Sequence, residues 1–325
     1  MHKKRVLIIG ANGFTGRRIL DDLSRKREYD TTGCSLHDDI AQGSGHYHFV
    51  RANICNSNDV EYLFEATTPD VVINASALSV PDYCESHHKK AEELNVLAVE
   101  SLARHCEVAK SRFIHLSTDF VFSGYNDTLY TEKDLPEPVN FYGVTKLEGE
   151  RRIERYCTNY AIVRVAVVYG SVLPGQHGNI IQLIANRLRN REEIQVVSDQ
   201  WRTPTFVGDV SAGIERLIFP DNILDPDAKI KSVSNSDLQD SFGEKRIGIY
   251  HICGAECLTI ADIAFRVAKI LGLDFSLIRP VTTIEINEAT PRPRFSGMSI
   301  EKAHKELGYN PHTLDEGIRI MFDLE

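Results

Sequence analysis

The sequence predicts an α/β fold, a doubly wound parallel sheet of the Rossmann-like type with a smaller C-terminal substrate-binding lobe. Three observations predict it. Through about residue 170, short apolar runs alternate with segments of helical spacing. The runs lack polar alternation, which indicates strands covered on both faces, as in a parallel sheet flanked by helices. The first run leads directly into a glycine-rich turn at residues 10–16, which is typical of doubly wound sheets.

The elements of the first half follow one another along the chain. The predicted strands are residues 5–9, 31–35, 46–50, 70–75, 112–117 and 161–168. The predicted helices are residues 14–26, 56–66, 85–108 and 139–156. Helices between strands supply the crossover connections that parallel pairing requires. Residues 1–170 are therefore predicted to form a dinucleotide-binding Rossmann domain.

After Gly170 the alternation loosens, which indicates a second lobe. The predicted helices there are residues 178–189, 209–218, 260–271, 299–307 and 314–322, with strands at 194–197 and 248–253 and a proline-containing loop at 289–295. A polar stretch without periodicity, near residues 221–246, is interpreted as a surface insertion. We expect residues 171–325 to form mainly the substrate-binding lobe, while segments near 205–220 and 247–254 complete the Rossmann domain.

Composition argues against several classes of protein. The 325 residues carry a net charge of −9, which disfavours nucleic acid and anionic membranes as partners. No apolar run approaches the length of a membrane span, and the run after Arg5 is shorter than that of a signal peptide. The seven cysteines are spread thinly, and Cys253 with Cys257 lacks the partners of a zinc site. We therefore expect a cytoplasmic protein with reduced thiols and no bound metal.

The glycine-rich turn is a candidate phosphate cradle. Gly10, Gly13 and Gly16 follow the first predicted strand with G-x-x-G-x-x-G spacing. Glycine at these points permits a tight turn, close approach of the backbone to a pyrophosphate, and packing of helix on sheet. The first helix then presents free N–H groups and a partial positive charge to the phosphates. The pattern predicts a dinucleotide site.

The end of the second predicted strand bears on which dinucleotide is used. An acid at this point accepts the adenosine ribose hydroxyls, whereas a basic side chain tolerates a 2′-phosphate. Residues 33–37 contain no acid, and Asp38 and Asp39 come slightly later. Arg17 and Arg18, just past the glycines, could face a 2′-phosphate or simply belong to a solvated helix face. The sequence slightly favours NADPH over NADH and leaves both open.

A candidate catalytic group lies on the helix predicted at 139–156. Tyr142 and Lys146 are four residues apart, so they share one helix face one turn apart. A tyrosine has a pKa of about 10 and exchanges protons poorly at neutral pH until a nearby cation stabilises its phenolate. Thr118 follows the strand predicted at 112–117, and such sheets place their sites at the carboxyl ends of strands. Thr118, Tyr142 and Lys146 could therefore converge on one carbonyl oxygen.

Four segments together resemble the extended short-chain dehydrogenase/reductases, and among these the dTDP-4-dehydrorhamnose reductase family. They are residues 10–16, 74–77, 117–124 and 142–150, and the resemblance continues through 197–200, 204–205, 250–251 and 291–293. It therefore spans nearly the whole chain. Two features depart from the family: Asn53 replaces the acid usual before the adenine-binding position, and the insertion at 221–246 is longer than expected.

The resemblance implies an NAD(P)H-dependent reductase of a 4-keto-6-deoxy sugar nucleotide, as in dTDP-rhamnose biosynthesis. Thr118 would bond the carbonyl, Tyr142 would deliver the proton, and Lys146 would lower the pKa of Tyr142. The implied cofactor-binding residues are Gly10, Asn12, Gly13, Phe14, Gly16, Ser35, Asn53, Ile54, Ala75, Ser76, Ala77, Asn95, Ser117, Tyr142 and Lys146. Asp199, Gln200 and Arg292 are the implied sugar-nucleotide contacts. Asn95 is interpreted equally well as a satisfied polar residue of the core.

Other functions remain open at this stage. A sugar-nucleotide 4,6-dehydratase typically has Asp-Glu after the threonine, whereas Thr118 is followed by Asp119 and Phe120, and phenylalanine cannot transfer a proton. An NAD-dependent epimerase shares the tyrosine and lysine. The regulatory beta subunit of methionine adenosyltransferase is similar across the same motifs, yet acts by binding a catalytic partner. A sugar nucleotide is the expected small-molecule partner, and a homodimer is one assembly compatible with the sequence.

Overall fold

A computed structural model describes residues 3–41, 46–218 and 246–324. Apart from Arg246, the insertion expected near residues 221–246 lies outside the described residues. Strands and helices are numbered along the chain below.

Seven parallel strands form the main sheet. They are β1 (Lys4–Ile9), β2 (Tyr29–Ser35), β3 (His48–Arg51), β4 (Val71–Asn74), β5 (Arg112–Thr118), β6 (Tyr160–Val165) and β11 (Gly248–His251). Their order is β11-β6-β5-β4-β1-β2-β3, which confirms the predicted doubly wound, Rossmann-like fold. The order reverses between β1 and β4, and the crevice at the carboxyl ends of these strands is where such sheets bind ligands.

Helices cover both faces of the sheet. On one face lie α1 (Phe14–Ser24), α8 (Val207–Ile218) and α11 (Glu301–Leu307), and on the other lie α2 (Ser57–Thr67), α5 (Ala98–Ala109) and α6 (Phe141–Tyr156). Successive strand residues point to opposite faces, so Val6 and Ile8 pack in the first layer while Leu7 and Ile9 pack in the second. Burial on both faces explains why β1 is an unbroken apolar run.

The C-terminal lobe has a hydrophobic core of its own. The helices α7 (Ile180–Arg189) and α9 (Ile260–Leu271) pack against the parallel pair β8 (Ile194–Val197) and β13 (Ile278–Val281), and α12 (Leu314–Met321) packs on α9. A capping box between Thr259 and Asp262 begins α9, and Gly272 ends it in the left-handed conformation. These local signals explain why the sequence predicts the bounds of α9 correctly.

Two predicted elements are interrupted in the structure. The helix predicted at 85–108 is divided into α3 (Pro81–Ser86), α4 (His88–Glu92), a π-helical turn (Glu93–Leu97) and α5. The backbone of His87, with φ −136°, separates α3 from α4. The strand predicted at 161–168 is divided into β6 and β7 (Val168–Tyr169) because Val167 takes φ +42°, a left-handed backbone that cannot continue a strand.

Several short elements have no periodic signal in the sequence. They are β9 (Trp201–Arg202), β10 (Thr205–Phe206), β12 (Leu258–Thr259), α10 (Thr283–Ile286) and the 3₁₀ turns Asp119–Val121 and Phe275–Leu277. Elements of two to four residues are too short to show hydrophobic periodicity. The two-residue strands form because distant segments supply their partners, as Val168 does for Thr205 in the pair β7–β10.

Candidate active site

A cavity of about 630 Å³ opens at the carboxyl ends of the strands, between the sheet and the C-terminal lobe. It brings together part of the predicted site: Asn12, Gly13, Phe14, Ala75, Ala77, Ser117, Thr118, Tyr142, Lys146 and Arg292. The other predicted residues are not in its lining: Gly10, Gly16, Ser35, Asn53, Ile54, Ser76, Asn95, Asp199 and Gln200. The glycine turn and the tyrosine–lysine helix therefore face one space.

The glycine turn has the shape of a phosphate cradle. Gly10 adopts φ +80°, and a Cβ there would come within 2.7 Å of the backbone nitrogen of Ser76. A Cβ on Gly16 would come within 2.2 Å of the Gly10 carbonyl oxygen, so α1 can approach β1 only with glycine at this position. The helix starts after Gly13 with no capping side chain and no acid in its first turn. Its backbone N–H groups suit an anionic pyrophosphate.

Ion pairs surround the part of the glycine turn that lies beside the end of β2. Ser35 accepts a hydrogen bond from the backbone of Asn12 at 3.0 Å. The buried guanidinium of Arg17 bonds Asp39 and, at 2.9 Å, the hydroxyl of Tyr47. Arg18 pairs with Asp22 at 2.7 Å. Both arginines that the sequence offers to a 2′-phosphate are thus engaged with carboxylates, and Asp39 is neutralised as well.

Asn53 and Ile54 lie in the turn between β3 and α2. The Asn53 side-chain oxygen accepts the backbone N–H of Cys55 at 3.1 Å, and the backbone N–H of Asn53 donates to the Asp59 carboxylate at 2.8 Å. Ile54 packs in the core layer beneath. The exposed Asn53 therefore sits in a well-fixed turn, where its amide nitrogen stays compatible with the predicted contact to a base.

Tyr142 lies at the start of α6, directly opposite the end of β5. Asn140 caps the helix by accepting the N–H of Gly143 at 2.8 Å. A Cβ on Gly143 would come within 2.2 Å of the Phe120 carbonyl oxygen, so glycine is what allows this close approach. The phenol is buried and lines the same cavity as Thr118.

Burial raises the pKa of Tyr142; the polar interaction with the Thr118 side chain opposes the shift, and the charge of Asp119 adds to it. The sequence predicts that Lys146 lowers this pKa, whereas the net shift is upward and the Lys146 charge is not among its main causes. Desolvation is the largest effect because the phenol is buried, and the neighbouring acidic group acts in the same direction. Tyr142 is therefore held as a neutral phenol, the form that can donate a proton.

Lys146 is buried one helical turn further along α6. Its amine lies 2.7 Å from the Leu116 carbonyl oxygen and 3.0 Å from Nε2 of His115. Burial lowers the pKa of Lys146 to about 8, while the charge of Glu150 opposes the shift. Burial also lowers the pKa of His115, and the neighbouring Lys146 charge adds to this, so the imidazole is neutral.

A buried ion pair joins α6 to β6 behind the candidate active site. Glu150 on α6 receives two hydrogen bonds from Arg164 on β6, at 3.0 and 2.6 Å, and both side chains are almost fully excluded from solvent. The Ser117 hydroxyl also donates to Glu150. Ser117, predicted to bind cofactor, thus lines the cavity while its hydroxyl is engaged beneath it.

Asn95 has a structural role in this arrangement. Its amide forms hydrogen bonds with both backbone groups of Leu78, at 2.9 and 3.0 Å, and donates to Thr145 at 3.1 Å. These bonds tie the segment after β4 to α6. The side chain is buried and satisfied, as in the alternative interpretation of its sequence position.

The substrate-side residues form one polar network, of which only Arg292 reaches the cavity lining. Arg292 pairs with Glu288 at 2.6 Å, and Gln200 donates to the same carboxylate at 2.7 Å. Asp199 accepts the backbone N–H of Thr283 at 2.9 Å. Asp199 and Gln200 therefore support the wall that presents Arg292.

Sequence reasoning missed several parts of the site. His115 and Asn74 lie on strands buried on both faces, where polar residues give no periodic signal. Val167 lines the cavity with its left-handed backbone, the kind of strained residue that concentrates at functional sites. The lining also includes residues 175–180, which comprise the loop before α7 and the first residue of that helix, and the sequence assigns them no functional role. Gln176 in this loop donates to the Asn12 carbonyl oxygen at 3.1 Å, holding the loop over the glycine turn.

Comparison with known proteins identifies the family. A model of the RmlD substrate binding domain matches residues 4–324. The chain belongs to the RmlD substrate binding domain family. Methionine adenosyltransferase 2 subunit beta of Bos taurus is 30% identical over 291 residues, 90% of this chain and 79% of that protein. A probable low-salt glycan biosynthesis reductase of Haloferax volcanii is 27% identical over 323 residues, 96% of this chain and 95% of that protein.

Solved structures of RmlD-type proteins share the fold. A dTDP-4-dehydrorhamnose reductase from Bacillus anthracis in complex with NADP aligns with a TM-score of 0.80 and 24% identity over 99% of both chains. A dTDP-4-dehydrorhamnose reductase from Clostridium acetobutylicum aligns with a TM-score of 0.76 and 25% identity over 98% of both chains. The predicted membership of the extended short-chain dehydrogenase/reductases is confirmed.

Two kinds of feature are absent from the described residues. Within residues 3–41, 46–218 and 246–324, no helix is both long and apolar enough to cross a membrane. Across the part of the chain that the structure describes, no three His, Cys, Asp or Glu side chains are grouped as metal ligands.

Proposed function

We propose that this RmlD-family protein is an NAD(P)H-dependent reductase of a 4-keto-6-deoxy sugar nucleotide. The observation that carries the proposal is the shared cavity of the glycine turn, Thr118, Tyr142 and Lys146. A phenol held protonated beside a hydroxyl suits the reducing direction, in which a carbonyl oxygen must gain a proton. The probable glycan biosynthesis reductase of Haloferax volcanii, similar over 96% of this chain, supports the same class of reaction.

Each residue of the site would have a separate role in such a reduction. A reduced nicotinamide, when bound, supplies a hydride to the carbonyl carbon. Thr118 would donate a hydrogen bond to the carbonyl oxygen, and Tyr142 would pass its phenolic proton to that oxygen as its negative charge develops. Lys146, in its charged form, would stabilise the phenolate that remains. The apolar side chains of Val165, Val167 and Val168 would exclude water from one side of the reacting groups.

For the cofactor, we propose that NADPH is preferred and NADH is also used. No acid at the end of β2 repels a 2′-phosphate, since Ser35 stands there and Asp39 is neutralised by Arg17. The B. anthracis relative in complex with NADP is consistent with this preference. Because Arg17 and Arg18 are already paired, we expect only a modest ratio between kcat/KM for NADPH and for NADH. A preference for NADH would refute this part of the proposal.

For the substrate, we propose that Arg292 contacts the diphosphate of the sugar nucleotide. It is the arginine of the predicted substrate set that lines the cavity. Its partners are carboxylates, Glu288 at 2.6 Å and Asp82 at 3.5 Å, so a diphosphate would replace or share these contacts. Asp199 and Gln200 do not line the cavity and would instead hold in place the segment that carries Arg292.

The direct test is oxidation of NADPH in the presence of a panel of 4-keto sugar nucleotides, followed by absorbance. We expect turnover with at least one 4-keto-6-deoxy compound. Tyr142→Phe should lower kcat by about 10²- to 10⁴-fold because the general acid is lost. Its affinity for the cofactor should stay unchanged, measured by quenching of protein fluorescence.

Tyr156→Phe is the matched control. Tyr156 lies at the end of the same helix, outside the cavity, where the guanidinium of Arg104 stacks 3.5 Å from its ring. The phenylalanine keeps that ring, so turnover should match the wild type. If no compound of the panel oxidises NADPH, or if Tyr142→Phe turns over as fast as Tyr156→Phe, the reductase proposal is wrong.

A second candidate is a regulatory subunit. The observation that favours it is the 30% identity, over 90% of this chain, with methionine adenosyltransferase 2 subunit beta. The test is size-exclusion chromatography of this chain mixed with a methionine adenosyltransferase catalytic subunit. A stable complex, together with no turnover of any keto sugar, would replace the reductase proposal. Turnover without complex formation would reject the regulatory one.

A further inference from the structure

Behind Lys146, a row of buried polar side chains runs to the end of β4. The backbone nitrogen of Ser76 lies 3.0 Å from Oδ1 of Asn74. Nδ2 of Asn74 lies 3.1 Å from Nδ1 of His115, and Nε2 of His115 lies 3.0 Å from the amine of Lys146. Asn74 and His115 are fully buried, so their side-chain polar atoms have to find hydrogen-bond partners within the protein.

The direction of every hydrogen bond in this row follows from its first member. A backbone N–H can only donate, so the Asn74 atom facing Ser76 is the carbonyl oxygen. The amide nitrogen of Asn74 therefore faces His115 and donates to Nδ1. A neutral imidazole that accepts at Nδ1 carries its hydrogen on Nε2. That N–H points at the amine of Lys146, which must offer a lone pair to receive it.

A charged Lys146 is disfavoured by this row, although the row does not exclude the ammonium that the proposed mechanism uses. An ammonium has three N–H donors and no lone pair, so it would face the N–H of His115, donor against donor. Reversing the imidazole tautomer would set its Nδ1–H against the amide of Asn74. Reversing that amide as well would deprive the Ser76 N–H of its acceptor. The neutral amine satisfies all of these groups while still donating to the Leu116 carbonyl oxygen.

We propose that Asn74 and His115 are positioning residues that set the protonation of Lys146, by presenting the Nε2–H of His115 to its amine and favouring the uncharged form. The effect on catalysis rests on the proposed reductase function, because only there does the charge of Lys146 act on the phenolate of Tyr142. The hydrogen-bond direction itself is a property of the folded chain.

The other charged groups around Lys146 act in a different way. Tyr142 and Glu150 lie on the same helix, and the Glu150 charge favours the ammonium. From β6, Arg164 is bound to that carboxylate and offsets it. Asp119, after β5, lies beside Tyr142 and interacts with Arg202. The row through His115 is the contact that specifically needs a lone pair on the amine.

The first test measures the tautomer of His115 directly. Long-range ¹H–¹⁵N NMR of the ¹⁵N-histidine-labelled protein reports which ring nitrogen carries hydrogen, and the resonance is assigned by its loss in His115→Phe. We expect hydrogen on Nε2 at pH values on both sides of the Lys146 titration. Hydrogen on Nδ1 would overturn the proposal, whatever the protein catalyses. This test needs no variant in the measured sample.

The second test reverses the row. In Asn74→Asp, a carboxylate accepts from both Ser76 and Nδ1–H of His115, which turns the lone pair of Nε2 toward Lys146. The ¹³Cε resonance of Lys146, assigned with Lys146→Arg, should then titrate about one pH unit or more higher than in the wild type. An unchanged midpoint would overturn the proposal.

The double variant Asn74→Asp/His115→Phe separates the tautomer from the added charge. If His115 transmits the effect, most of the upward shift seen in Asn74→Asp should disappear in the double variant relative to His115→Phe alone. A shift of equal size without the imidazole would mean that simple charge attraction is responsible, and the proposal would be wrong.

The consequence for catalysis is a displaced pH profile. With a substrate from the panel, the alkaline limb of kcat should move to higher pH in Asn74→Asp by the same amount as the Lys146 midpoint. If the Lys146 midpoint measured by NMR shifts but the alkaline limb of kcat does not, the proposed hydrogen-bond directions stand and their role in catalysis is rejected. Absence of all turnover would reject the reductase proposal alone, since both NMR measurements are independent of it.

Discussion

The substitution Glu150→Gln should destabilise the protein strongly, although it changes only one atom type. Glu150 is the acceptor for Arg164 at 3.0 and 2.6 Å and for the Ser117 hydroxyl. The two charged side chains are 3% and 2% exposed, so water cannot replace the lost partner. Glutamine keeps the shape of the side chain but leaves a guanidinium buried without its counter-charge.

The size of the effect follows from this burial. Removing one partner of a buried ion pair costs about 3–5 kcal/mol because the other charge stays uncompensated. We expect a loss of about 3 kcal/mol, at the lower end, since the glutamine oxygen still accepts one hydrogen bond. Replacing both partners, as in Glu150→Met/Arg164→Met, should recover most of the loss, because neither charge is then buried.

The assay is urea-induced unfolding followed by far-UV circular dichroism. Glu148→Gln is the matched control, since Glu148 is on the same helix and pairs with Arg152 at 2.9 Å on the surface. Exposed pairs contribute little because water and salt screen them, so the control should unfold like the wild type. Equal losses in Glu150→Gln and Glu148→Gln would refute the reasoning from burial.

Three further predictions concern the cofactor site and the response to pH. Gly16→Ala should destabilise the fold and weaken NADPH binding at least tenfold by calorimetry, because its Cβ would contact backbone at 2.2 Å, whereas Gly178→Ala, whose nearest neighbour would be 3.5 Å away, should fold like the wild type. Gln176→Ala should speed NADPH dissociation in stopped-flow experiments, since the loop loses its bond to Asn12; an unchanged rate would contradict a covering role. Burial lowers the pKa of His251 to about 3, so below about pH 6.5 the unfolded chain takes up a proton that the folded chain refuses. Stability should therefore fall by about 1.4 kcal/mol per pH unit toward pH 4 from this residue, and urea titrations of His251→Gln should show a shallower dependence.

The fold was largely predictable because its signals are local. Unbroken apolar runs mark strands covered on both faces, and the spacing of Gly10, Gly13 and Gly16 marks the turn after β1. The bounds of α9 follow from a capping box and a terminal glycine. By contrast, the break at His87 and the left-handed Val167 have no local signal, because packing by distant segments imposes them.

The candidate site divides in the same way. The spacing of Tyr142 and Lys146 places them on one helix face, which the sequence alone determines. Which partners the neighbouring residues meet depends on strands far apart in sequence. Arg17 is engaged by Asp39, and Asn95 by Leu78, although either side chain could equally have faced a ligand.

The amino-acid sequence by itself determined the doubly wound sheet, the glycine turn and the presence of a phenol and an amine on one helix. Only the tertiary structure decided the chemical state of those groups. Burial raises the pKa of Tyr142 and lowers that of Lys146, and His115 reaches the amine from a neighbouring strand. Periodicity records which side of an element faces the core, whereas a pKa depends on solvent exclusion and on neighbours that folding brings within hydrogen-bond distance.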